Sequence, residues 1–202
     1  MTYEALALFP TVVQTSDLDR SFTQEELDFI GGLTVIPNML NLQSKNTYVL
    51  DNPRLSNLKE KLLEGLQVYL YNILKATPDV QIYITQSWVN CTKELEAHHR
   101  HAHNNSFLSG VVYIDANSEK DEIIFFKDRC NQIAVPTSEW NMFNSETWRV
   151  TAETGKIVIF PSSLNHAVEV KQGTNTRISL AFNSFIKGNL GNEEDLTKLV
   201  LG

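Results

Sequence analysis

The sequence predicts a mainly β protein with helices near its N-terminus, built as a β-sandwich or a jelly-roll barrel. Its 202 residues suit one compact domain with a substantial core. Helix signals are confined to the part before residue 80, and about seven short segments rich in β-branched and aromatic residues follow. Short strands at close spacing, separated by turn-forming residues, are typical of sandwiches and barrels. We therefore expect a single domain over residues 1–202, with helical support in 1–79, the β core in 80–187 and a tail in 188–202.

The elements before residue 80 are predicted from local signals. Residues 6–13 are expected to form a strand or an extended entry segment, and the polar residues 38–46 a loop. Thr23 caps a short helix, because Glu26 three residues later completes a capping box. A long packing helix is predicted over residues 51–76, since its apolar residues recur at three- and four-residue steps. These residues are Leu55, Leu58, Leu62, Leu66, Tyr69 and Ile73.

The predicted strands span residues 81–89, 106–115, 122–126, 147–151, 156–160, 166–170 and 176–186. The helices are expected to cover one sheet, and the motif histidines lie at the starts of two strands, where a barrel mouth would hold a site. The long connection 131–147, with Trp140, is predicted to be a substrate-side lid, because long loops in compact domains often serve as lids. Trp88 and Trp140 could line the substrate mouth, but core packing is the preferred prediction for Trp88, since large aromatic side chains usually serve the core.

Composition and charge exclude several classes of protein. The formal net charge of −7 argues against a nucleic-acid or anionic-membrane binder, because both require a basic surface. No run of residues approaches the roughly 18 apolar positions of a membrane span, and the N-terminus lacks the features of a secretory signal. Cys91 and Cys130 form no C-x-x-C pattern and are expected to be reduced thiols. We expect a cytoplasmic protein.

Histidine distribution is the strongest functional signal in the chain. Four of the five histidines lie within residues 98–103, and His166 stands alone. His101 and His103 point the same way if this segment is extended, and His166 faces inward with the alternation of its strand. A lone inward histidine is usually a core residue, but the H-x-H pair favours a three-histidine metal site. Imidazole suits iron, zinc, copper or nickel, and three protein ligands leave coordination positions open.

Two further patterns leave alternatives open. His99 also lies two residues before His101, so a His99/His101 pair is possible; otherwise His98 and His99 form a solvated or outer pair near the entrance. Arg177 shares one face of its strand with the small residues Ser179, Ala181 and Asn183, which indicates a cavity. A buried arginine requires an anionic partner, and either a protein carboxylate or a ligand carboxylate would serve.

The sequence resembles the non-haem iron, 2-oxoglutarate-dependent oxygenases, in the branch whose first ligand motif reads H-x-H. The resemblance covers roughly residues 80–187. Its matching segments are 88–90, 101–113, 155–162, 166 and 177–183. A single H-x-H is a weak signal, but the ordered series from His101 to the Arg177-x-Ser179 pair is fairly specific.

The resemblance implies a double-stranded β-helix, which is a cupin-like jelly roll, and an enzyme that uses Fe(II), 2-oxoglutarate and O2. It implies that His101, His103 and His166 hold the iron. Arg177 matches the arginine that binds the distal carboxylate of 2-oxoglutarate, Ser179 matches its hydroxyl partner, and Tyr113 adds a phenol. Asn183 is assigned to the same subsite. The implied reaction couples decarboxylation of 2-oxoglutarate to oxidation, by hydroxylation, of a second substrate.

The second ligand departs from the common pattern of the family, in which two histidines and one carboxylate bind the metal. With His103 in that position the site is more positive by one charge. A three-histidine cupin-type dioxygenase or isomerase without 2-oxoglutarate is therefore a rival, as is a barrel that binds a metal or ligand without turnover. The sequence does not name the substrate, which is a small molecule or a peptide, and a homodimer remains open.

Overall fold

The computed structural model describes residues 1–128 and 133–202 and shows two antiparallel sheets that face each other beneath a helix. The strands of the predicted β core form the double-stranded β-helix expected for this fold class. The bounds of the strands are β1 Gln14–Asp17, β2 Val35–Asn38, β3 Asn41–Ser44, β4 Gln81–Thr92, β5 His98–His101, β6 Leu108–Asp115, β7 Glu122–Phe126, β8 Thr147–Thr151, β9 Lys156–Pro161, β10 His166–Val168, β11 Arg177–Leu190 and β12 Leu199–Leu201. The helices are α1 Gln24–Gly31 and α2 Ser56–Val68.

The larger sheet has eight strands in the order β1-β9-β6-β11-β4-β3-β2, with β12 paired to β11. The smaller sheet has the order β5-β10-β7-β8. One apolar cluster lies between α2 and the larger sheet, and a second lies between the two sheets. Strands β1–β3 and β12 come from the segments predicted as helical support and tail, so both segments also contribute to the larger sheet.

The N-terminal predictions meet the structure with mixed results. The capping box is confirmed, since the Thr23 side chain accepts from the Glu26 backbone N–H and the Glu26 carboxylate accepts from the Thr23 N–H. Residues 6–13 are not a strand; β1 begins at Gln14. The loop predicted for residues 38–46 is also wrong, because β3 pairs there with β2 and β4. The hydroxyl of its buried Ser44 accepts a hydrogen bond from the Val89 N–H, so a polar side chain satisfies a backbone donor of β4.

The predicted long helix is divided into several shorter helical segments. Two 3₁₀ turns precede α2, and a π-helical turn, Tyr69–Ile73, follows it. The leucines predicted to pack are fully buried against the larger sheet. Ile73 was predicted to lie on the same face, but it is largely exposed. A π-helical turn contains more residues than an α-helical turn, so it rotates Ile73 away from the packed face.

The strand predictions hold best in the β core. The spans Glu122–Phe126 and Thr147–Thr151 are confirmed to the residue, and β4, β6, β9 and β11 match within a few residues. Strand β5 was missed. His101 is therefore the last residue of a short strand of its own and not the start of the next one, whereas His166 does begin β10.

Two smaller expectations concern the membrane and the thiols. Among the described residues, no helix combines the length and the apolar character needed to cross a bilayer. Cys91 is a half-buried free thiol, and Cys130 lies outside the described residues.

Candidate metal and co-substrate site

Three histidines from two neighbouring strands converge at the mouth between the sheets. His101 ends β5 and lies directly opposite His166, the first residue of β10, in antiparallel register. His103 follows two residues later, where its backbone N–H donates to the Ser162 carbonyl at 2.9 Å. One ring nitrogen from each histidine lies within 4.8 Å of the other two. This spacing brings together the three residues that the sequence predicted as metal ligands.

Backbone hydrogen bonds orient two of these rings. The Nδ1 of His101 lies 2.7 Å from the His99 carbonyl, and the Nδ1 of His166 lies 2.9 Å from the Leu164 carbonyl. A carbonyl accepts only, so in each ring Nδ1 carries the hydrogen and Nε2 keeps its lone pair. This arrangement is typical of metal-binding histidines, whose second nitrogen donates to a fixed acceptor.

The ring nitrogens of a second group, His98, His99 and His101, lie equally close together. The alternative of a metal site formed by these upstream histidines therefore stays open. The two groups share His101, whose Nδ1 is engaged, so its single Nε2 can serve only one ion. His166 has the orienting bond to a carbonyl, whereas neither His98 nor His99 forms such a bond with a described residue. The geometry therefore favours the group that includes His103 and His166. His98 is also not solvated as one interpretation had it: it is half-buried, stacks on His101 at 4.6 Å and lines the cavity.

Burial keeps these imidazoles neutral. Burial, with a smaller contribution from the neighbouring histidines, lowers the pKa of His166 to about 3 and that of His103 to about 4. The pKa of His101 is lowered for the same reason. Only the neutral ring binds a metal. Three neutral imidazole nitrogens are a donor set that suits a divalent transition metal such as iron.

Behind the histidines, a cavity of about 50 Å³ extends between the sheets. Arg177, only 3% exposed, lies in its wall. The guanidinium donates to the Glu122 backbone carbonyl at 3.3 Å and to the Thr92 hydroxyl at 3.5 Å, and its Nε has no partner. Burial lowers the pKa of Arg177.

No carboxylate of a described residue forms an ion pair with Arg177. The two acidic residues nearest to it in the fold are engaged elsewhere. The Glu122 carboxylate binds Arg149 at the surface. The Asp121 carboxylate lies 3.2 Å from the Lys171 ammonium, deep in the protein, and also accepts from Asn175 and from the Asn117 backbone. The alternative of a structural ion pair for Arg177 thus finds no partner in the described part of the chain.

Tyr113 and Ser179 lie beside Arg177. They face each other across β6 and β11 in register, both are buried, and both line the cavity. Neither side chain forms a hydrogen bond with another described residue. Burial raises the pKa of Tyr113 to about 12, so the phenol keeps its hydrogen and remains a donor. Tyr113 lies on β6 of the larger sheet, whereas His101 and His166 lie on strands of the smaller sheet.

Asn183 is the one predicted site residue that the structure places outside the cavity wall. Its Oδ1 accepts from the Ser109 hydroxyl at 2.8 Å, and Ser109 is linked through Ser162 to Ser106. The register of β11 against β4 shifts after Asn183. Because the Ser162 carbonyl also receives the His103 N–H, this buried network holds the turn that carries the predicted ligand.

The cavity wall contains residues that sequence reasoning missed or placed elsewhere. Trp88 was predicted in the core; it is half-buried, lines the cavity and lies with its ring 5.7 Å from the His103 ring. Asn90, two residues on, lines the same wall. The signal that could have found them is the two-residue alternation of β4, in which Trp88, Asn90 and Thr92 share one face.

The comparisons with known proteins agree with this fold. Residues 86–183 match the family model described as "Putative 2OG-Fe(II) oxygenase". No curated protein matches the chain. A solved oxidoreductase of the 2OG-Fe(II) oxygenase family from Burkholderia pseudomallei is similar over 84% of this chain and 83% of its own, at 12% identity and a TM-score of 0.57.

Two other solved structures share the fold. HygX from Streptomyces hygroscopicus, with nickel and 2-oxoglutarate bound, is similar over 86% of this chain and 82% of its own, at 10% identity and a TM-score of 0.59. A prolyl hydroxylase from Trichoplax adhaerens, in complex with a hypoxia inducible factor peptide, is similar over 86% and 83%, at 13% identity and a TM-score of 0.55.

The matched segment contains the whole histidine cluster, strand β6 and the parts of β4 and β11 that line the cavity. Over residues 86–183 the chain is similar to the 2OG-Fe(II) oxygenases, a family of enzymes that use iron(II), 2-oxoglutarate and oxygen.

Proposed function

We propose that this protein oxidises an organic substrate, by hydroxylation, while it converts 2-oxoglutarate to succinate and carbon dioxide. His101, His103 and His166 would hold the iron through their Nε2 atoms. Arg177, Tyr113 and Ser179 would bind the distal carboxylate of 2-oxoglutarate. The iron, when bound, supplies the activation of O2 that the protein side chains cannot supply.

The observation that carries this proposal is the buried Arg177, which has no ion-pair partner among the residues that the structure describes. A buried unpaired cation is unfavourable by several kcal/mol, and a protein carboxylate is the usual remedy. Here the nearest carboxylates are engaged by Lys171 and Arg149. The cavity in front of Arg177 leads to the histidines, so a ligand with carboxylates at both ends matches it. A planar guanidinium with two neighbouring hydroxyl donors suits a carboxylate.

For the second substrate we propose a small molecule or a peptide that enters past Trp88 and the connection between β7 and β8. The described part of that connection exposes Ile133, Trp140, Met142 and Phe143. Strand β7, which precedes this connection, ends beside the metal site, where the Phe126 N–H donates to the Asn165 carbonyl. HygX has also been solved with hygromycin B, and the prolyl hydroxylase with a peptide. We further propose a single domain over residues 1–202 that acts in the cytoplasm, where thiols such as Cys91 stay reduced.

The test begins with anaerobic purification and loading with Fe(II). Addition of 2-oxoglutarate should produce a charge-transfer absorption band, and admission of air should then produce succinate, slowly without a second substrate. The Arg177→Ala variant is the control, since it should retain iron and lose the band. Iron-dependent oxygen uptake without succinate would overturn the proposal in favour of a three-histidine dioxygenase.

A further inference from the structure

Strand β8 is an open edge of the smaller sheet. Among the described residues it pairs with β7 alone. The Lys127 N–H donates to the Glu146 carbonyl just before β8, and the Ala152 N–H donates to the Asp121 carbonyl just after it. Because hydrogen-bonded pairs alternate along an antiparallel ladder, the backbone groups of the first, third and fifth residues of β8 point away from β7. The ammonium of Lys156 donates to the carbonyl of the fifth, and a partner strand would replace this bond with a backbone N–H.

This edge lacks the protection that the larger sheet has at β2. There the Lys45 N–H donates to the Thr34 carbonyl, so the same alternation makes Pro37 an outward position, at which no N–H is available to another strand. Proline and lysine are common means of blocking a sheet edge. Strand β8 contains neither, and its Trp148 is 53% exposed. An unblocked edge with an exposed aromatic side chain indicates a partner strand.

The sequence of β8 is self-complementary about Arg149, its central residue. When two copies of the strand pair antiparallel with Arg149 at the twofold axis, Thr147 lies opposite Thr151 and Trp148 lies opposite Val150. Threonine pairs, and pairs of an aromatic with a β-branched residue, stabilise neighbouring strands. This register also makes the first, third and fifth residues the hydrogen-bonded pairs, and these are the residues whose backbone groups point outward. A second copy of β8 therefore fits the edge in both side chains and backbone.

The charge of Arg149 is compatible with this pairing. Like charges directly opposite each other destabilise a strand pair. The Arg149 side chain, however, forms ion pairs with Glu122 and Glu169 of its own chain. Each copy thus presents two carboxylates for one guanidinium, so the guanidinium of one copy approaches the carboxylates of the other. The charges on this face complement those of a second copy.

We propose that the outer edge of β8 is the interface of a symmetric homodimer, in which the β8 strands of two copies pair antiparallel about Arg149. The two smaller sheets then form one continuous sheet, and Trp148 of each copy is covered. Aromatic side chains are enriched in such interfaces. A single strand pair buries less surface than a permanent dimer interface, so the dimer is reversible and forms as the protein concentration rises. The edge contains no predicted ligand of the metal or the co-substrate, so the dimer is independent of the proposed function.

Sedimentation equilibrium of the full chain, over a concentration series from micromolar to millimolar, measures the association. The mass of the wild type should rise from the 22.9 kDa of one chain toward twice that value. Trp148→Ala should weaken the dimer by roughly 10-fold, the effect of truncating an aromatic side chain at the centre of an interface. Arg149→Pro removes an outward N–H and leaves the bonds to β7 in place, so it should remain a monomer. Tyr83→Ala, at an exposed aromatic residue of β4, is the matched control and should associate like the wild type.

Arg149→Cys tests the register directly. Residues opposite each other in a hydrogen-bonded pair have Cα atoms about 5.5 Å apart, which is within the range of a disulfide. Under mild oxidation this variant should form a covalent dimer on a non-reducing gel. The wild type, with its two native cysteines, and Val68→Cys, on the exposed side of α2, should not.

Three results would overturn the proposal. The first is a wild type that stays monomeric over the whole series. The second is a dimer that Trp148→Ala and Arg149→Pro leave unchanged, because the copies would then associate through another surface. The third is an Arg149→Cys variant that associates without forming the disulfide, because the strands would then not pair about this residue. Circular dichroism verifies the fold of each variant, and Arg149→Glu, which places like charges at the axis and should be monomeric, replaces a proline variant that does not fold.

Discussion

The two faces of the larger sheet differ in how completely their side chains are satisfied. On the helix side, Leu180 of β11 packs with no exposed surface against the leucines of α2. On the cavity side of the same strand, Arg177 and Ser179 are also buried, but among the described residues Arg177 has no ion-pair partner, its Nε has no hydrogen-bond partner, and the Ser179 hydroxyl forms no hydrogen bond. The helix side therefore supplies stability, while the cavity side carries polar groups that only a ligand would satisfy. Alternation along one strand thus separates folding from binding.

The largest expected effect on stability lies on the helix side. Leu62 is fully buried in the apolar cluster, so Leu62→Ala should lower the free energy of unfolding by about 2–5 kcal/mol, with metal affinity unchanged at temperatures where the variant is folded. Urea denaturation of the metal-free protein measures this. The control is Val68→Ala on the exposed side of the same helix, expected within about 0.5 kcal/mol of the wild type. Equal losses for the two variants would contradict the contrast between the faces.

On the cavity side, His166→Ala should remove metal affinity and change the stability of the metal-free protein little. Loss of a residue that only orients a ligand typically lowers affinity 10–100-fold, so loss of a direct ligand should exceed about 100-fold. Anaerobic titration with Fe(II) or Co(II) measures it, and His99→Ala should retain wild-type affinity. The opposite result, with His99→Ala weak and His166→Ala normal, would assign the metal to the upstream group of histidines.

Substitution of Arg177 tests whether the cavity side binds the carboxylate of 2-oxoglutarate. Arg177→Ala should weaken 2-oxoglutarate binding by about 1.5–3 kcal/mol, the range of a charge-assisted hydrogen bond, and Arg177→Lys should fall between it and the wild type because the charge stays and the fork is lost. Titration of the charge-transfer band under nitrogen measures both. The matched control is Arg54→Ala, whose side chain pairs with Glu25 at the surface, away from the cavity. Unchanged binding by Arg177→Ala would make Arg177 a structural residue.

Sequence reasoning reached the parts of the molecule that local pattern determines. The capping box of Thr23 and the alternation of β11 are local, and both appear in the structure. It failed where distant partners decide the outcome. Strand β5 exists because His101 pairs with His166 across the smaller sheet, and β3 exists because β4 satisfies its polar backbone. Two further features depend on contacts between segments far apart in sequence, which no local spacing encodes. One is that the buried Asn90 Oδ1 has no hydrogen-bond partner among the described residues, and the other is the ion pair between Asp121 and Lys171.

The smallest expected effect concerns acid. From the sequence alone, metal binding should weaken near the ordinary imidazole pKa of about 6–6.5, and three such histidines would lose roughly 10-fold each, or about 1000-fold together, between about pH 7.5 and 5.5. In the structure, burial lowers the pKa of His166 to about 3 and that of His103 to about 4. Protons therefore do not compete with the metal at these two rings until the pH approaches those values.

We accordingly expect the metal affinity of the folded protein to fall by less than about 10-fold over that interval. The sign for stability is different: the unfolded chain takes up protons at these histidines below about pH 6.5, and the folded protein does not until about pH 4 to 3. The metal-free protein should thus lose stability as the pH falls through this window. Titration with Co(II) at each pH, with circular dichroism to verify folding, distinguishes the two effects. A steep loss of affinity near pH 6.5 in protein that remains folded would show that the ligands are exposed imidazoles and not the buried group around His166.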